Sequence, residues 1–154
     1  MPASTPSFRV LLTDRAWPDT TIEREILAEI GADLAEAPDT CESTLCSLAA
    51  AADAIATNWA PVTAAVVRQA AKCRVICRTG IGLDNIAVAV ATELKIPVTN
   101  IPDYCIGEVA DHALALLLAC ARNVGFYHVR MKRGEYRLQN GPSMPRLAGK
   151  RLGL

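Results

Sequence analysis

From Phe8 onward the chain alternates short apolar runs with stretches of helical periodicity. Phe8–Thr13 (FRVLLT) is a short apolar run that stops at Asp14, which predicts a buried strand. Ile22, Ile26, Leu27 and Ile30 then recur on one face of a predicted helix. Asp19 or Thr20 can cap its start and Gly31 ends it. Ala32–Ala37 predicts a weak second strand, broken at Pro38, and Ser43–Ala52 a short alanine-rich helix. Ala54–Asn58 predicts the third strand, and Pro61–Ala71 a helix with proline near its first turn. Arg74–Arg78 predicts the fourth strand. Asp84 or Asn85 then caps a helix running through Leu94, and Pro97–Asn100 is the fifth strand. Strands alternating with helices of about ten residues mean parallel βαβ units. The expectation is an α/β fold: a five-stranded parallel sheet flanked by helices, flavodoxin-like.

After Pro102 the pattern changes. Ile106–Asn123 predicts one long helix, and from Ala113 to Ala121 it is apolar on every side. Such a helix must be buried all round. A surface helix of one small sheet buries a single face, so a second domain or a partner chain is expected against this one. The plainer alternative is a central core helix of a single domain. Arg130–Gly149 is polar, contains Pro142 and Pro145, and reads as a helix end and linker. Lys150–Leu154 looks like the opening of a strand. The expected division is therefore a sheet domain over residues 1–102, a long helix and linker over 103–149, and the start of a further domain at 150–154.

Composition narrows the function classes. The 154 residues are 51% hydrophobic, enough for a packed core and too many for disorder. Lys plus Arg equals Asp plus Glu, so no charge excess asks for nucleic acid or an anionic membrane. Met1–Ser7 has no basic stretch followed by an apolar one, so it does not read as a secretory signal. The apolar run Ala113–Ala121 is far shorter than the ~20 residues a bilayer requires. The expected location is cytoplasmic. Cys41, Cys46, Cys73, Cys77, Cys105 and Cys120 match no zinc-ligand spacing, and no metal site is expected.

The chemistry concentrates in two loops. Arg78-Thr79-Gly80-Ile81-Gly82-Leu83-Asp84-Asn85 joins the carboxyl end of a strand to a helix start, where ligands bind in open parallel sheets. Two glycines allow close backbone approach and positive φ. Free N–H groups there can hold an anion. Arg78 adds a charge whose fork suits a carboxylate. Together these form a carboxylate cradle. A tight βα turn with no ligand fits the same spacing. It is not G-x-G-x-x-G, because Asn85 stands where the third glycine would be. The second loop, Thr99–Cys105, also follows a strand. Its Tyr104 can offer a hydroxyl to a substrate or cover the core edge. His112 and His128 are the two histidines. Asp111 and His112 are adjacent and point to different sides of a helix, so they make no dyad. No general base is identified.

Three segments, Arg78–Ile86 (RTGIGLDNI), Glu93–Asn123 (ELKIPVTNIPDYCIGEVADHALALLLACARN) and Arg146–Leu154 (RLAGKRLGL), resemble D-isomer-specific 2-hydroxyacid dehydrogenases in order and spacing. Within that family, Ile101–Leu116 is most similar to the C-terminal-binding-protein branch. The resemblance is strong from Cys73 to Asn123 and compatible in pattern from Phe8. It implies a flavodoxin-like substrate domain, a Rossmann domain for NAD, and a long helix that crosses between them and packs in a homodimer. By position it assigns Arg78, Gly80, Ile81 and Gly82 to the substrate carboxylate, and Tyr104 to the substrate cleft. Ile81 and Val109 fall on the cofactor side. Ala87 departs from the acidic residue common after Asn-Ile. The family's catalytic Arg, Glu and His, and its glycine-rich dinucleotide loop, are expected beyond Leu154, so this chain carries the substrate side of the site.

Three functions compete at this point. The first is an NAD-dependent oxidoreductase acting on a 2-hydroxy or 2-keto acid, present as a fragment that is inactive alone. The second is a non-catalytic module that dimerises or binds a small acid. The third, a receiver-like domain, needs an acceptor Asp at the end of the third strand, where this chain has Asn58.

Overall fold

The computed structural model describes residues 8–137, 139 and 141–153. The amino-terminal segment Met1–Ser7 and Leu154 lie outside the described residues. The chain divides into two compact units, Met1–Tyr104 and Cys105–Leu154.

In the first unit the strands are β1 (Phe8–Leu12), β2 (Ala32–Glu36), β3 (Ala54–Thr57), β4 (Val75–Arg78) and β5 (Val98–Thr99). All pair in parallel, in the order β2-β1-β3-β4-β5, the flavodoxin-like winding. Four helices connect them: α1 (Thr21–Glu29), α2 (Glu42–Ala49), α3 (Ala64–Gln69) and α4 (Val88–Glu93). The strand order explains the layering. Crossovers are right-handed, so the step from β1 outward to β2 places α1 on one face of the sheet. The three steps back across it place α2, α3 and α4 on the other.

Register brings Leu11, Ile55 and Ile76 side by side on the three-helix face, each no more than 1% exposed. With Leu45, Val62, Val66, Val67 and Ala91 they form a dry core. The neighbouring positions Val10, Ala56 and Cys77 point to the α1 face and stay half-buried. There they line an apolar trough of about 580 Å³ with Trp17, Ile26, Leu27, Thr79 and Ile101.

Several boundaries differ from expectation. Helix α3 starts at Ala64, after Pro61, because Thr63 rather than the proline opens it: the Thr63 hydroxyl accepts from Val66 N–H. Helix α4 starts at Val88 and has no side-chain cap, because Asn85 is spent elsewhere. Gly31 ends α1 as expected, with φ of 69°.

In the second unit the helix expected over Ile106–Asn123 is present as α5 (Ile106–Ala121), and a further helix follows it. Helix α5 stops at Asn123, whose φ of 53° breaks the ladder, and α6 (Val124–Lys132) follows with a bend of 65°. Asn tolerates this left-handed conformation, and here its amide donates to Pro142 O at 3.2 Å. None of the sixteen α5 residues is buried, and Leu114, Leu116 and Leu118 are each at least half exposed. Among the described residues no single helix is long and apolar enough to cross a membrane. Lys150–Gly153 forms no strand.

Candidate functional site

The site is built at the carboxyl edge of the sheet, where β4 and β5 end side by side. The loop leaving β4, Thr79–Asn85, is held on both flanks. On one flank Thr79 N–H donates to Thr57 O at 2.9 Å, and the Thr79 hydroxyl donates to the same oxygen at 3.1 Å. On the other, the segment leaving β5 reaches across. Ile101 N–H donates to Gly80 O at 3.0 Å, and the Asn100 amide donates to Ile81 O at 2.8 Å. The third carbonyl is gripped from below: Arg78 Nη1 donates to Gly82 O at 2.8 Å and to Asn85 Oδ1 at 2.7 Å.

Three consecutive carbonyls are thus committed. A trans peptide points its C=O and the following N–H in opposite directions, and no peptide here is cis. The oxygens of Gly80 and Ile81 both face the β5 exit, so the N–H groups of Ile81 and Gly82 both face away from it. Neither donates to another group among the described residues. Successive N–H groups turned to one side form a concavity that suits an anion.

The glycines serve space rather than dihedral freedom. Neither Gly80 nor Gly82 has positive φ, which corrects that part of the expectation; Gly31, Gly134 and Gly149 do. A Cβ on Gly80 would lie 3.3 Å from both Nε and Nη2 of Arg78, whose guanidinium runs directly past it. A Cβ on Gly82 would meet Asp84 Oδ1 at 2.6 Å, closer than real Cβ atoms come. The Arg78 side chain is half-buried and braces the loop with Nη1, and its Nε has no partner. Ile81 is 43% exposed at the crest, and Tyr104 is exposed at the end of the β5 segment. Val109 belongs to the second unit, exposed on α5.

Asn85 ties the floor together. Its Oδ1 accepts from Arg78 and its Nδ2 donates to Ala60 O at 3.0 Å. A second anion-shaped loop lies beside it, at the switch point between β1 and β3, and is already filled. The Asp14 carboxylate accepts from the backbone N–H groups of Asn58 at 2.9 Å, Trp59 at 2.8 Å and Ala60 at 3.1 Å, and from the Thr13 hydroxyl at 2.9 Å. Burial pushes the Asp14 carboxyl up, but these N–H bonds outweigh it and hold it below its ordinary value. Sequence reasoning placed Asn85, Asn100 and Ile101 in the two loops without giving them a role in the site, and missed Asp14 as a plug. The one cue available was their position, each in a segment that follows a strand's carboxyl end.

His112 and His128 are both exposed, in α5 and α6 respectively. Among the described residues no three His, Cys, Asp or Glu side chains cluster as metal ligands.

A flavodoxin-like parallel sheet whose β4 exit loop turns two N–H groups to one side is the class of domain defined here. The chain matches the family described as D-isomer specific 2-hydroxyacid dehydrogenase, catalytic domain, over residues 10–143. It belongs to that family. It is 35% identical over 146 residues to a D-3-phosphoglycerate dehydrogenase of Methanocaldococcus jannaschii, covering 95% of this chain and 27% of the relative. It is 40% identical over 93 residues to a hydroxypyruvate reductase of Thermotoga maritima, covering 60% of this chain and 30% of the relative. Among solved structures it shares its fold with a D-lactate dehydrogenase of Aquifex aeolicus complexed with NAD and lactic acid. There the TM-score is 0.72 and the identity 22%, over 83% of this chain and 38% of that one. The chain thus spans under half the length of each of these proteins.

The residues of the β4 loop do not fit the pyrophosphate of NAD. That group needs G-x-G-x-x-G opening directly into a helix. Here Asn85 occupies the third position with its side chain turned to Arg78, and α4 begins only at Val88.

Proposed function

We propose that this chain is the substrate side of an NAD-dependent oxidoreductase of the C-terminal-binding-protein-like branch, acting on a 2-hydroxy or 2-keto acid. The observation that supports this best is the pair of unspent N–H groups at Ile81 and Gly82, turned to one side by the anchored carbonyls of Gly80 and Ile81. A carboxylate is the substrate group such a pair holds. The Arg78 guanidinium beneath the loop supplies the positive charge, and Gly80 keeps the path past it clear. The resemblance puts Tyr104 in the substrate cleft and Ile81 and Val109 on the cofactor side. NAD, when bound to the whole protein, supplies the hydride or takes it up. The residues of this chain bind and orient the acid. They include neither the dinucleotide loop nor a general base, so the chain alone is inactive. Catalysis is cytoplasmic in this reading.

The apolar, uncovered α5 supports a homodimer through Ile106–Asn123. A non-catalytic dimerising or acid-binding module is the second reading that the same helix and loop favour.

Calorimetric titration of this chain with pyruvate and with NAD is the test. Pyruvate should bind, and Arg78→Ala should weaken it by about 1.5–3 kcal/mol, the usual cost of losing a charged hydrogen bond. NAD should not bind. Micromolar NAD affinity, or pyruvate affinity unmoved by Arg78→Ala, would sink the assignment.

A further inference from the structure

We infer that Asn100 is a positioning residue for anion binding: its carboxamide, by holding the carbonyl of Ile81, aims the N–H of Gly82 into the cradle. The inference rests on the carboxylate reading above and adds a residue that reading does not use. Each of the three peptide planes that carry the carbonyls of Gly80, Ile81 and Gly82 has one handle. The plane between Gly80 and Ile81 is held by the backbone N–H of Ile101, which no substitution of a side chain removes. The plane between Gly82 and Leu83 is held by Arg78. The plane between Ile81 and Gly82 is held by the Asn100 side chain alone among the described residues, at 2.8 Å. Only an amide nitrogen can face a carbonyl there, so the orientation of the carboxamide is set by chemistry.

Without that handle the central plane is free to rotate. A rotation by half a turn would put the Ile81 carbonyl where the anion sits, replacing a donor with an acceptor. Asn100 is itself exposed and is not a member of the apolar core, so its contribution is directional. It lies 19 residues from the carbonyl it holds, on the next strand's exit. The two strand ends must therefore be in register for the cradle to form.

The experiment uses the chain labelled with nitrogen-15, pyruvate as the ligand and acetone as the comparator without a carboxylate. In the parent chain the amide signals of Ile81 and Gly82 should move with pyruvate and stay with acetone. Asn100→Asp keeps the shape and removes the donor at pH 7. Its pyruvate dissociation constant should rise about tenfold. Its melting temperature should change by less than about 4 °C, since an exposed side chain is replaced. At pH 4 the introduced carboxyl is about half protonated and regains a donor. Affinity relative to the parent at that pH should then recover most of the loss, which a merely structural role would not produce. Relaxation of the Gly82 amide without ligand is the independent readout: it should be rigid in the parent and mobile in the variant at pH 7. Equal rigidity in both, or unchanged pyruvate affinity in Asn100→Asp, overturns the inference. Absence of any pyruvate shift at Ile81 and Gly82 in the parent overturns the carboxylate reading instead, while the relaxation result still decides whether Asn100 orients the loop.

Discussion

The two faces of the sheet are made of the same strands and have opposite fates. On one, Leu11, Ile55 and Ile76 are sealed beneath α2, α3 and α4. On the other, Val10, Ala56 and Cys77 open onto a trough of about 580 Å³, and α1, which borders it, has no buried residue. The apolar stripe of α1 is real, yet Ile22, Ile26 and Ile30 are each more than half exposed. Amphipathic patterning reports what a face is suited to bury. It does not report whether enough neighbours exist to bury it. One crossover lies on this face and three on the other, so the difference follows from strand order and not from hydrophobicity.

The largest effect that sharpens the comparison is on stability. Ile76→Ala should cost about 2–5 kcal/mol by leaving a cavity among fully buried neighbours. Ile26→Ala on the open face should cost less than about 1 kcal/mol, having little packing to lose. Urea denaturation of both variants checks this, and equal costs would mean that the open face is sealed in solution.

Next in size is the carboxylate that stitches the sheet's carboxyl edge. Asp14→Ala strands three N–H groups and should cost about 2–3 kcal/mol in the same assay. The carboxyl is held below its ordinary value, so its contribution is complete above that value and fades as pH falls through the lowered one. Glu36 behaves alike. The Arg15 hydrogen bond first, then Thr20 and Arg24, bring its carboxyl from 4.5 to about 2. Its contribution is present above pH 4.5 and lost toward pH 2. Denaturation midpoints should therefore drop across that acid window, and less steeply in Glu36→Gln. A midpoint flat from pH 5 to 2 would contradict both.

The smallest effect is kinetic. Cys73 is buried in the sealed core, and burial pushes its thiol up. Cys77, two residues on, lines the open trough. A maleimide followed by peptide mapping should label Cys77 at least about tenfold faster than Cys73. Protection of Cys77 equal to that of Cys73 would show that another surface covers the trough.

Much of this organisation was legible from the chain alone. Short apolar runs at regular intervals marked the five strands, Gly31 marked a helix end, and Arg78 with Gly80 and Gly82 marked a tight loop leaving the fourth strand. These signals are local: a periodicity or a turn depends on residues within about one helical turn of each other. The tertiary structure decided what each group was spent on. Asn85 reads as a helix cap, yet it bonds to Arg78 and Ala60, the latter 25 residues away. Asp14 reads as a strand end, yet it fills a loop up to 46 residues distant. Asn100 is one polar residue among many until β5 lies beside β4 and its amide meets the Ile81 carbonyl. A hydrogen bond needs its two atoms within about 3 Å and in line. Local pattern cannot specify such a distance between residues far apart in the chain, and only the register of neighbouring strands sets it.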